Sequence, residues 1–588
     1  MATFAEKIFQ ASSGSVVFKS PDIILTHDNT ASIEKTFQKM NGDKVFDPDR
    51  LMVVLDHNAP PTTASVSNSY KQIRGFIQKQ GIKNFYDAGE GICHQLISNH
   101  ARPGMLIVGS DSHTCTAGAF NTFAAGIDRT EAAGIWKKGE TWFRVPESIK
   151  VTLTGYLRNG VYAKDLSLWI IGLLGTSGAN YKSLEFHGDG VKTLTISERM
   201  TLANLASEMG AKNAVFPKDE VLSEFLGQDT KGVWADEEAD YRRKIEIDLN
   251  EVYPLIAAPH SLDNIKAIAE LVGEEVHQGL IGTCTNGRIE DLREAADILK
   301  GKKVTPGFQL HIIPASKAVY LQAIEEGLIS VFLESGANVL SASCGPCLGT
   351  GQGIPPDGTR VISTANRNFC GRMGNKNAEV FLGSPASVSY AAIYGKITDP
   401  RPITGTERFP YTSKVPPVIQ IPDGENRKYD NVWDYSDIDN LNTDLMFAGH
   451  LTYKILSSDP ESIKEHLFND FDKQFSRNLS KGDIIIAGNN FGCGSSREHP
   501  AVGLSYAGVL AVIVKSVNRI FFRAAINQGL PLIVLPEVVE AYSAGDVVNI
   551  DMENGVIQIN ESVLKFEPLP AKLLEILNRK GLVNYLSD

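Results

Sequence analysis

Three cysteines have the types and spacing expected of metal ligands. Cys284 lies in Gly-Thr-Cys-Thr-Asn, and Cys344 and Cys347 form a Cys-x-x-Cys in Ser-Cys-Gly-Pro-Cys-Leu. No fourth cysteine or histidine is spaced to complete a tetrahedral zinc site, whereas iron–sulfur clusters are held by thiolates. Three thiolates on a four-iron cluster would leave one iron open as a Lewis acid for a substrate hydroxyl and carboxylate. Zinc binding and a redox dithiol at Cys344 and Cys347 are the alternative interpretations.

Acidic and imidazole side chains occur together after three short apolar segments. They are His27-Asp28, Asp56-His57 and Asp111-Ser112-His113. A carboxylate beside a histidine fixes its tautomer and raises its basicity, which suits a proton donor near neutral pH. For any one pair, a helix N-cap beside a structural histidine is the alternative, and His94 on its own is typical of a core histidine.

Two arginines lie five residues apart in the loop Asn366-Arg367-Asn-Phe-Cys-Gly-Arg372. Guanidinium groups bind carboxylates through paired hydrogen bonds, so these two side chains can clamp an acidic substrate. A surface ion pair is the alternative interpretation.

A glycine-rich turn follows an apolar strand late in the chain and reads Gly-Asn-Asn-Phe-Gly-Cys-Gly-Ser-Ser-Arg-Glu-His over residues 488–499. The free N–H groups of a helix start favour an anion there, and Arg497 adds a fixed charge. A serine among such donors can have its alkoxide stabilised and act as a base. An ordinary capping box from Ser495 to Glu498 is one alternative. A phosphate loop is another, but no Gly-Lys-Ser/Thr follows.

Short apolar strands alternate with amphipathic helices up to residue 400, which predicts α/β layers with mostly parallel sheets. Ligand sites in such sheets gather outside the carboxyl ends of the strands, where the acid–imidazole groups lie. Proline is dense over residues 401–428, which predicts a linker, and a further α/β unit follows over 429–588. The predicted strands include Met52–Leu55, Met105–Val108, Ile149–Leu153, Leu310–Ile313, Val361–Ser363, Asp483–Ala487 and Val509–Val514, and the predicted helices include Ser69–Lys79, Ile289–Leu299, Lys317–Glu326 and Ser495–Ala507.

The composition limits the class of function. The chain has 588 residues, 43% of them apolar, which is enough for several domains with ordinary cores. Its net charge of -12 argues against a nucleic-acid surface, which needs a positive footprint. No apolar stretch approaches the roughly 20 residues of a membrane span, and no signal peptide is evident. Seven cysteines in so long a chain form no disulfide framework, and we expect a reducing cytoplasm.

Taken together, these motifs resemble the signatures of the aconitase superfamily of iron–sulfur hydro-lyases, in family order and across nearly the whole chain. The matching stretches are Asp111-Ser-His113, Thr-Cys284-Thr-Asn, Cys344-Gly-Pro-Cys347, Asn366-Arg367-Asn-Phe and Gly-Ser495-Ser496-Arg497-Glu-His. The length is similar to a large and a small isopropylmalate-isomerase subunit joined by the proline-rich segment. The implied fold has three α/β/α domains around the cluster, within residues 1–400, and a linked, mobile C-terminal α/β swivel domain.

The resemblance also implies roles for individual residues. Cys284, Cys344 and Cys347 would bind a 4Fe–4S cluster in which one iron has no cysteine ligand. His57, paired with Asp56, would protonate the leaving hydroxyl, and Ser495 would remove the proton from the neighbouring carbon. The remaining groups implied to bind the substrate or line the iron are His27, His94, Asp111, Ser112, His113, Glu185, Asn366, Arg367, Arg372, Asp444, Ala448, Ser496 and Arg497.

The substrate's third arm depends on the segment around Ala448, which stands where aconitases have an arginine for the distal carboxylate. An unpaired buried carboxylate would cost several kcal/mol, so we expect an apolar arm and the isomerisation of a 2-alkylmalate, isopropylmalate first. A citrate or homocitrate isomerase that uses Lys454 or another cation is the alternative. A cluster-free RNA-binding regulator is an alternative of another class. We expect the single chain to need no separate small subunit.

Overall fold

The structure is a computed structural model that describes residues 1–402, 405–411, 421–422, 424–452, 455, 457–494 and 497–587, with only the backbone of His450. The expectations for Ser495, Ser496 and Lys454 therefore lie outside the described residues. Four sheets that are wholly or mostly parallel form the framework, and helices pack against them. The α/β prediction is confirmed.

The first sheet carries the acid–imidazole groups at one edge. Its five strands are all parallel, in the order Asn84–Tyr86, Leu51–Val54, Ile23–Thr26, Leu106–Gly109 and Phe123–Gly126. These strands are apolar and their central members are buried on both faces, as a parallel sheet covered by helices requires. Because the strands are parallel, the residues that follow their carboxyl ends meet at the same edge.

The second and third sheets complete the large part of the molecule. The second has four parallel strands in the order Asn213–Val215, Ser183–His187, Ser148–Thr154 and Arg243–Asp248. The third has seven strands in the order Ile265–Ala267, Leu255–Ala257, Glu379–Leu382, Arg360–Ser363, Gln278–Ile281, Gln309–Ile312 and Asn338–Val339, antiparallel only at its first two pairings. The cysteine-bearing loops follow strands of this third sheet.

The C-terminal part has its own sheet and core. Its strands run Lys428–Tyr429, Val432–Tyr435, Ile484–Ala487, Ala511–Val514 and Leu532–Val534, parallel after the first pair. A three-stranded antiparallel sheet follows over Val548–Asp551, Val556–Ile559 and Ser562–Lys565, and a two-stranded ribbon joins Val16–Lys19 to Thr141–Arg144. The boundaries 1–400, 401–428 and 429–588 stay a prediction, although Phe409 of the proposed linker packs into the core of the second and third sheets.

The helices follow the predicted alternation. The α-helices are Phe4–Phe9, Thr30–Lys39, Ala64–Gln80, Cys93–Leu96, Arg129–Lys138, Ala163–Leu174, Ile196–Ala206, Glu220–Leu226, Ile289–Leu299, Lys317–Glu325, Leu328–Ser335, Pro385–Tyr394, Thr443–Met446, Pro460–Glu465, Phe475–Asn478, His499–Ala507, Arg519–Asn527, Pro536–Ala541, Ala571–Asn578 and Leu582–Ser587. Short 3-10 turns include Ser112–Phe120, Ser207–Met209 and Gly345–Leu348. Among the described residues, none of these helices has the length and apolar character needed to cross a bilayer, and a cytoplasmic location stays a prediction.

The helix Arg519–Asn527 joins the C-terminal part to the first sheet's unit. Arg523 is fully buried and forms an ion pair with Glu131, and its guanidinium stacks 3.7 Å from the ring of Trp142. Arg519 donates to the carbonyl oxygen of Ser112 (3.3 Å) and to the hydroxyl of Ser207 (3.2 Å). The C-terminal part therefore packs directly against the residues that hold the acid–imidazole edge.

Candidate active site

The three predicted metal-binding cysteines lie on two loops of the third sheet. Cys284 follows the strand Gln278–Ile281, and Cys344 and Cys347 flank the start of the turn Gly345–Leu348. Asn366 connects the two loops, because its amide donates to the sulfur of Cys284 at 3.3 Å and its oxygen lies 3.8 Å from the sulfur of Cys347. All seven cysteines are free thiols.

The surroundings of these sulfurs suit thiolate ligands. Asn204 donates a second hydrogen bond to the sulfur of Cys284 at 3.3 Å, and Arg372 donates to the sulfur of Cys347 at 3.6 Å. Burial and the nearby Cys347 raise the pKa of Cys284 to about 12, so the free thiol is neutral and needs a metal to ionise it. The described residues that come close enough to share one ion are histidines and carboxylates, not these cysteines. Three sulfurs that do not come together around one ion, two of them with donors aimed at them, fit a multi-iron cluster better than a single ion.

His57 lies between two carboxylates at the carboxyl edge of the first sheet. Its Nδ1 is 2.7 Å from Oδ1 of Asp56, and its Nε2 is 3.4 Å from Oδ2 of Asp111. The other oxygen of Asp56 accepts from the backbone N–H of Cys93 at 2.7 Å, which fixes the carboxylate. His94 also joins the group, with its Nε2 2.7 Å from Oδ1 of Asp111. The core interpretation of His94 is therefore incomplete, because the buried ring bonds to the same acid as His57.

Electrostatics favour a protonated His57. Burial alone would lower the pKa of His57, but Cys344, Asp56 and Asp111 outweigh it and raise the pKa well above its usual range. Burial likewise opposes the charge of Asp56, yet the charge of His57 prevails and lowers the pKa of Asp56 to about 2. An imidazolium oriented by one carboxylate and presented toward a second is a suitable proton donor.

His27 packs on His57 rather than forming an acid pair of its own. The two rings stack with centroids 3.9 Å apart, and Nε2 of His27 lies 2.9 Å from the amide of Asn29. Burial and the charge of His57 lower the pKa of His27 to about 3, so this ring is neutral. Asp28 instead accepts from the backbone N–H groups of Asp56 (3.0 Å) and His57 (3.2 Å) and so holds the neighbouring pair.

Glu208 is a site residue that the sequence reasoning missed. Its carboxylate lies 2.7 Å from Nε2 of His113 and accepts from Nε of Arg367 at 2.9 Å. Arg367 also donates to the hydroxyl of Ser112 at 3.1 Å, so one buried network joins the first and third sheets. The signal was Asn204 and Glu208, four residues apart in an apolar helix that continues into a 3-10 turn, and both face the site.

Glu185 has different partners from those that were expected. The resemblance implied that it lines the iron, but its carboxylate is fully buried in the second sheet. There it accepts from the backbone N–H of Phe4 (3.1 Å) and the hydroxyls of Ser148 (2.6 Å) and Tyr241 (2.9 Å). Both of its oxygens thus accept from structural donors, whereas Glu208 contacts His113 and Arg367.

The C-terminal part brings Arg497 and Asp444 together. Their side chains form an ion pair at 2.8 Å, and Arg497 also donates to the carbonyl oxygen of Phe447 at 2.9 Å, next to Ala448. The described helix begins at His499 and not at the predicted Ser495. Ser495 and Ser496 lie outside the described residues.

Lys164 is a further missed residue behind the cysteines. Its fully buried ammonium group donates to the carbonyl oxygens of Thr364 (2.9 Å) and Ala365 (2.6 Å), directly before Asn366. Burial lowers the pKa of Lys164 to about 7. A lysine inside the apolar helix Ala163–Leu174 was the signal, because a buried ammonium needs acceptors that the helix cannot supply.

Comparison with known proteins identifies the family of this chain from its sequence. The family model described as the aconitase family (aconitate hydratase) matches residues 4–395, and the aconitase C-terminal domain matches residues 434–537. Similar curated proteins include large subunit 1 of 3-isopropylmalate dehydratase from Methanopyrus kandleri, 42% identical over 413 residues, which are 68% of this chain and 99% of that one.

Two further relatives have the same extent. Large subunit 2 of 3-isopropylmalate dehydratase from Archaeoglobus fulgidus is 46% identical over 411 residues, covering 68% of this chain and 99% of the relative. A probable methanogen homoaconitase large subunit from Methanosarcina mazei is 45% identical over 389 residues, covering 65% and 99%. Each of these relatives is covered almost in full, and about a third of this chain lies outside the match.

Proposed function

This chain belongs to the aconitase family and is a hydro-lyase, and we propose that it isomerises a 2-substituted malate to the 3-substituted malate by removing water and adding it back. The observation that carries the proposal is the convergence of Asp56, His57 and Asp111, close enough to Cys344 for that sulfur to affect the pKa of His57. A proton donor and a cluster site side by side are what dehydration of a hydroxy acid requires.

The family implies a 4Fe–4S cluster, and we propose that Cys284, Cys344 and Cys347 hold it. When bound through three cysteines, such a cluster supplies one Lewis-acidic iron that polarises a hydroxyl and a carboxylate. The amides of Asn204 and Asn366 orient and stabilise the thiolate of Cys284. Arg372 does the same for Cys347.

His57 delivers the proton to the departing hydroxyl in this proposal. Asp56 holds its Nδ1, so the Nε2 proton faces Asp111 and the substrate space. His94, His113 and Glu208 fix Asp111 and Arg367, and Arg367 is placed to bind a substrate carboxylate while staying neutralised by Glu208. We assign the removal of the carbon-bound proton to Ser495, supported by the fixed cation Arg497 two residues later.

The first substrate we propose is isopropylmalate. All three relatives above carry large-subunit names, and two of these are of 3-isopropylmalate dehydratases. Ala448 offers no charge to a third arm. A tricarboxylate such as homocitrate is the second candidate, favoured by the relative named as a homoaconitase and by the cation Arg129. We also propose that no separate small subunit is needed, because the C-terminal aconitase domain matches within this same chain.

The test is the activity of the iron-reconstituted full chain, kept anaerobic. The absorbance of the unsaturated intermediate is followed with isopropylmalate, citrate and homocitrate side by side, without any added subunit. Turnover of at least one substrate by protein that shows cluster absorbance is the expected result. Absence of turnover with all three, with the cluster present, would overturn the proposed function.

A further inference from the structure

Arg129 follows the last strand of the first sheet, whose carboxyl end the proposed mechanism does not use. The strand Phe123–Gly126 is parallel to the neighbouring strand Leu106–Gly109, which leads to Asp111 and His113. The chain then turns through Asp128, and the helix Arg129–Lys138 begins. Arg129 therefore lies at the same edge of the sheet as the acid–imidazole groups, and its side chain is half-buried.

The acidic groups close to Arg129 along the chain, and the one that meets the next residue across the seam between the large part and the C-terminal part, have other partners. Asp128 accepts from the backbone N–H of Glu131 (2.8 Å) and from the amide of Asn527 (2.6 Å). Glu131 pairs with a buried arginine of the C-terminal part. Glu498 accepts from the N–H (3.2 Å) and hydroxyl (2.8 Å) of the residue after Arg129.

Within the described part of the chain, no carboxylate forms an ion pair with Arg129. Its own helix does not stabilise the positive charge either. A cation at the first position of a helix lies at the positive end of the helix dipole, which is unfavourable by about 0.3–1 kcal/mol. The other arginines of the site differ, because Arg367 is neutralised by Glu208 and Arg497 by Asp444. The guanidinium of Arg129 therefore has no counter-ion among the described residues, and it can bind an anion that arrives from outside.

The charge of Arg129 acts on one histidine in each part of the molecule. After burial and the charge of His57, Arg129 is among the groups that lower the pKa of His27 to about 3. After burial, it is also the next cause that lowers the pKa of His499 to about 3. The ring of His499 stacks on Phe447 with centroids 5.0 Å apart, and Phe447 precedes Ala448.

We infer that Arg129 is a specificity-determining residue, which binds a carboxylate on the third arm of the substrate and lets this chain turn over tricarboxylates such as homocitrate or citrate. The inference rests on the proposed function, because it assigns one more contact to the same site. It also replaces the expectation, drawn from Ala448 alone, that no cation is available to a third carboxylate. The cation approaches the segment around Ala448 from the large part of the molecule, across the seam that Thr130 and Glu498 close.

The test compares Arg129→Ser, Arg129→Lys and the unchanged chain as reconstituted holoenzymes. Lys138→Ser is the matched control, because it removes one positive charge from the exposed opposite end of the same helix. For each protein, kcat/KM is measured with isopropylmalate, citrate and homocitrate, and cluster absorbance and thermal unfolding are recorded. We expect Arg129→Ser to lower the ratio of tricarboxylate to isopropylmalate kcat/KM by about 100-fold, the scale of losing a buried charged contact.

Arg129→Lys should lower the ratio of tricarboxylate to isopropylmalate kcat/KM less than Arg129→Ser does, because the charge remains while the paired donors are lost. Lys138→Ser should leave this ratio unchanged. A general loss of stability would lower all substrates together and leave the ratio unchanged, and that result would overturn the inference. Turnover of isopropylmalate alone by the unchanged chain would overturn the inference and leave the proposed function standing. No turnover of any substrate by cluster-loaded protein would overturn both.

Discussion

Replacing Glu208 by glutamine is expected to destabilise the protein by about 3 kcal/mol, because it leaves a buried arginine without its counter-ion. The side chains of Arg367 and Glu208 are only 7% and 8% exposed, and removing one member of a buried pair costs about 3–5 kcal/mol. The pKa of Glu208 gives a free energy of the same size. Burial alone would raise the pKa of Glu208, yet Arg367 and His113 lower it from 4.5 to about 2. At about 1.4 kcal/mol for each pKa unit, the ionised form is favoured by about 3 kcal/mol.

Urea unfolding of Glu208→Gln, with cluster absorbance and kcat/KM measured on the same preparation, tests this reasoning. Glu185→Gln is the matched control, since Glu185 is also a fully buried glutamate but has hydroxyl and backbone donors instead of an arginine. We expect the control to lose about 1–3 kcal/mol of stability and to keep its kcat/KM. Glu208→Gln should in addition lose at least 100-fold in kcat/KM, because Arg367 and His113 lose their orientation.

The pH dependence separates the two variants further. A carboxyl whose pKa is lower in the folded than in the unfolded chain adds stability above its unfolded pKa, and this stability is lost as the pH falls through the folded pKa. The contribution of Glu208 is thus present above about pH 4.5 and lost toward pH 2. Glu208→Gln should remove this part of the acid sensitivity. Equal activity losses in Glu208→Gln and Glu185→Gln, or no stability loss in Glu208→Gln, would refute the network described here.

Three further predictions concern the cluster, the acid and a buried carboxyl. Cys347→Ser should abolish cluster absorbance and activity, whereas Cys370→Ser, which changes an exposed cysteine, should keep both; retained absorbance in Cys347→Ser would contradict the ligand assignment. Asp56→Asn should lower kcat by about 100-fold or more with cluster absorbance intact, because the histidine beside it loses its orienting charge; an unchanged kcat would exclude this role. Burial, with two neighbouring carboxylates, raises the pKa of Asp128 to about 7, so stability should fall as the pH rises from about 4 to 7. Asp128→Asn should flatten that fall in urea titrations at pH 5 and 8, and an unaltered slope would contradict it.

The parts of the site that could be predicted are those whose signal is local. Asp56-His57 and Asp111-Ser112-His113 directly follow apolar strands, so their meeting at one edge follows from the parallel order of the sheet. The strands and helices were mostly placed to within a few residues for the same reason, because hydrophobic period is a local property. Two helix starts were the exceptions, because the helices begin at Ala64 and His499 and not at the predicted Ser69 and Ser495. At His499 the preceding glycine-rich turn gives no periodic signal.

The parts that could not be predicted depend on partners far apart in the chain. Glu208 and Arg367 are 159 residues apart, and Glu185 and Phe4 are 181 apart. Both glutamates are buried acids in apolar surroundings, and only the fold decides which of them meets an arginine. A resemblance carried over by position alone therefore selected Glu185, and the geometry selects Glu208.

The contacts between the large part and the C-terminal part limit how the two can move relative to each other. Thr130 and Glu498 share two hydrogen bonds across the seam, and each is the chain neighbour of a cation, Arg129 on one side and Arg497 on the other. The buried pair of Arg523 and Glu131 connects the same two parts of the molecule. A domain that swings away as a whole would have to break these contacts, so we expect it to pivot about them instead. Because these contacts fix the positions of Arg129 and Arg497 relative to each other, we expect the two cations to bind two ends of the same substrate.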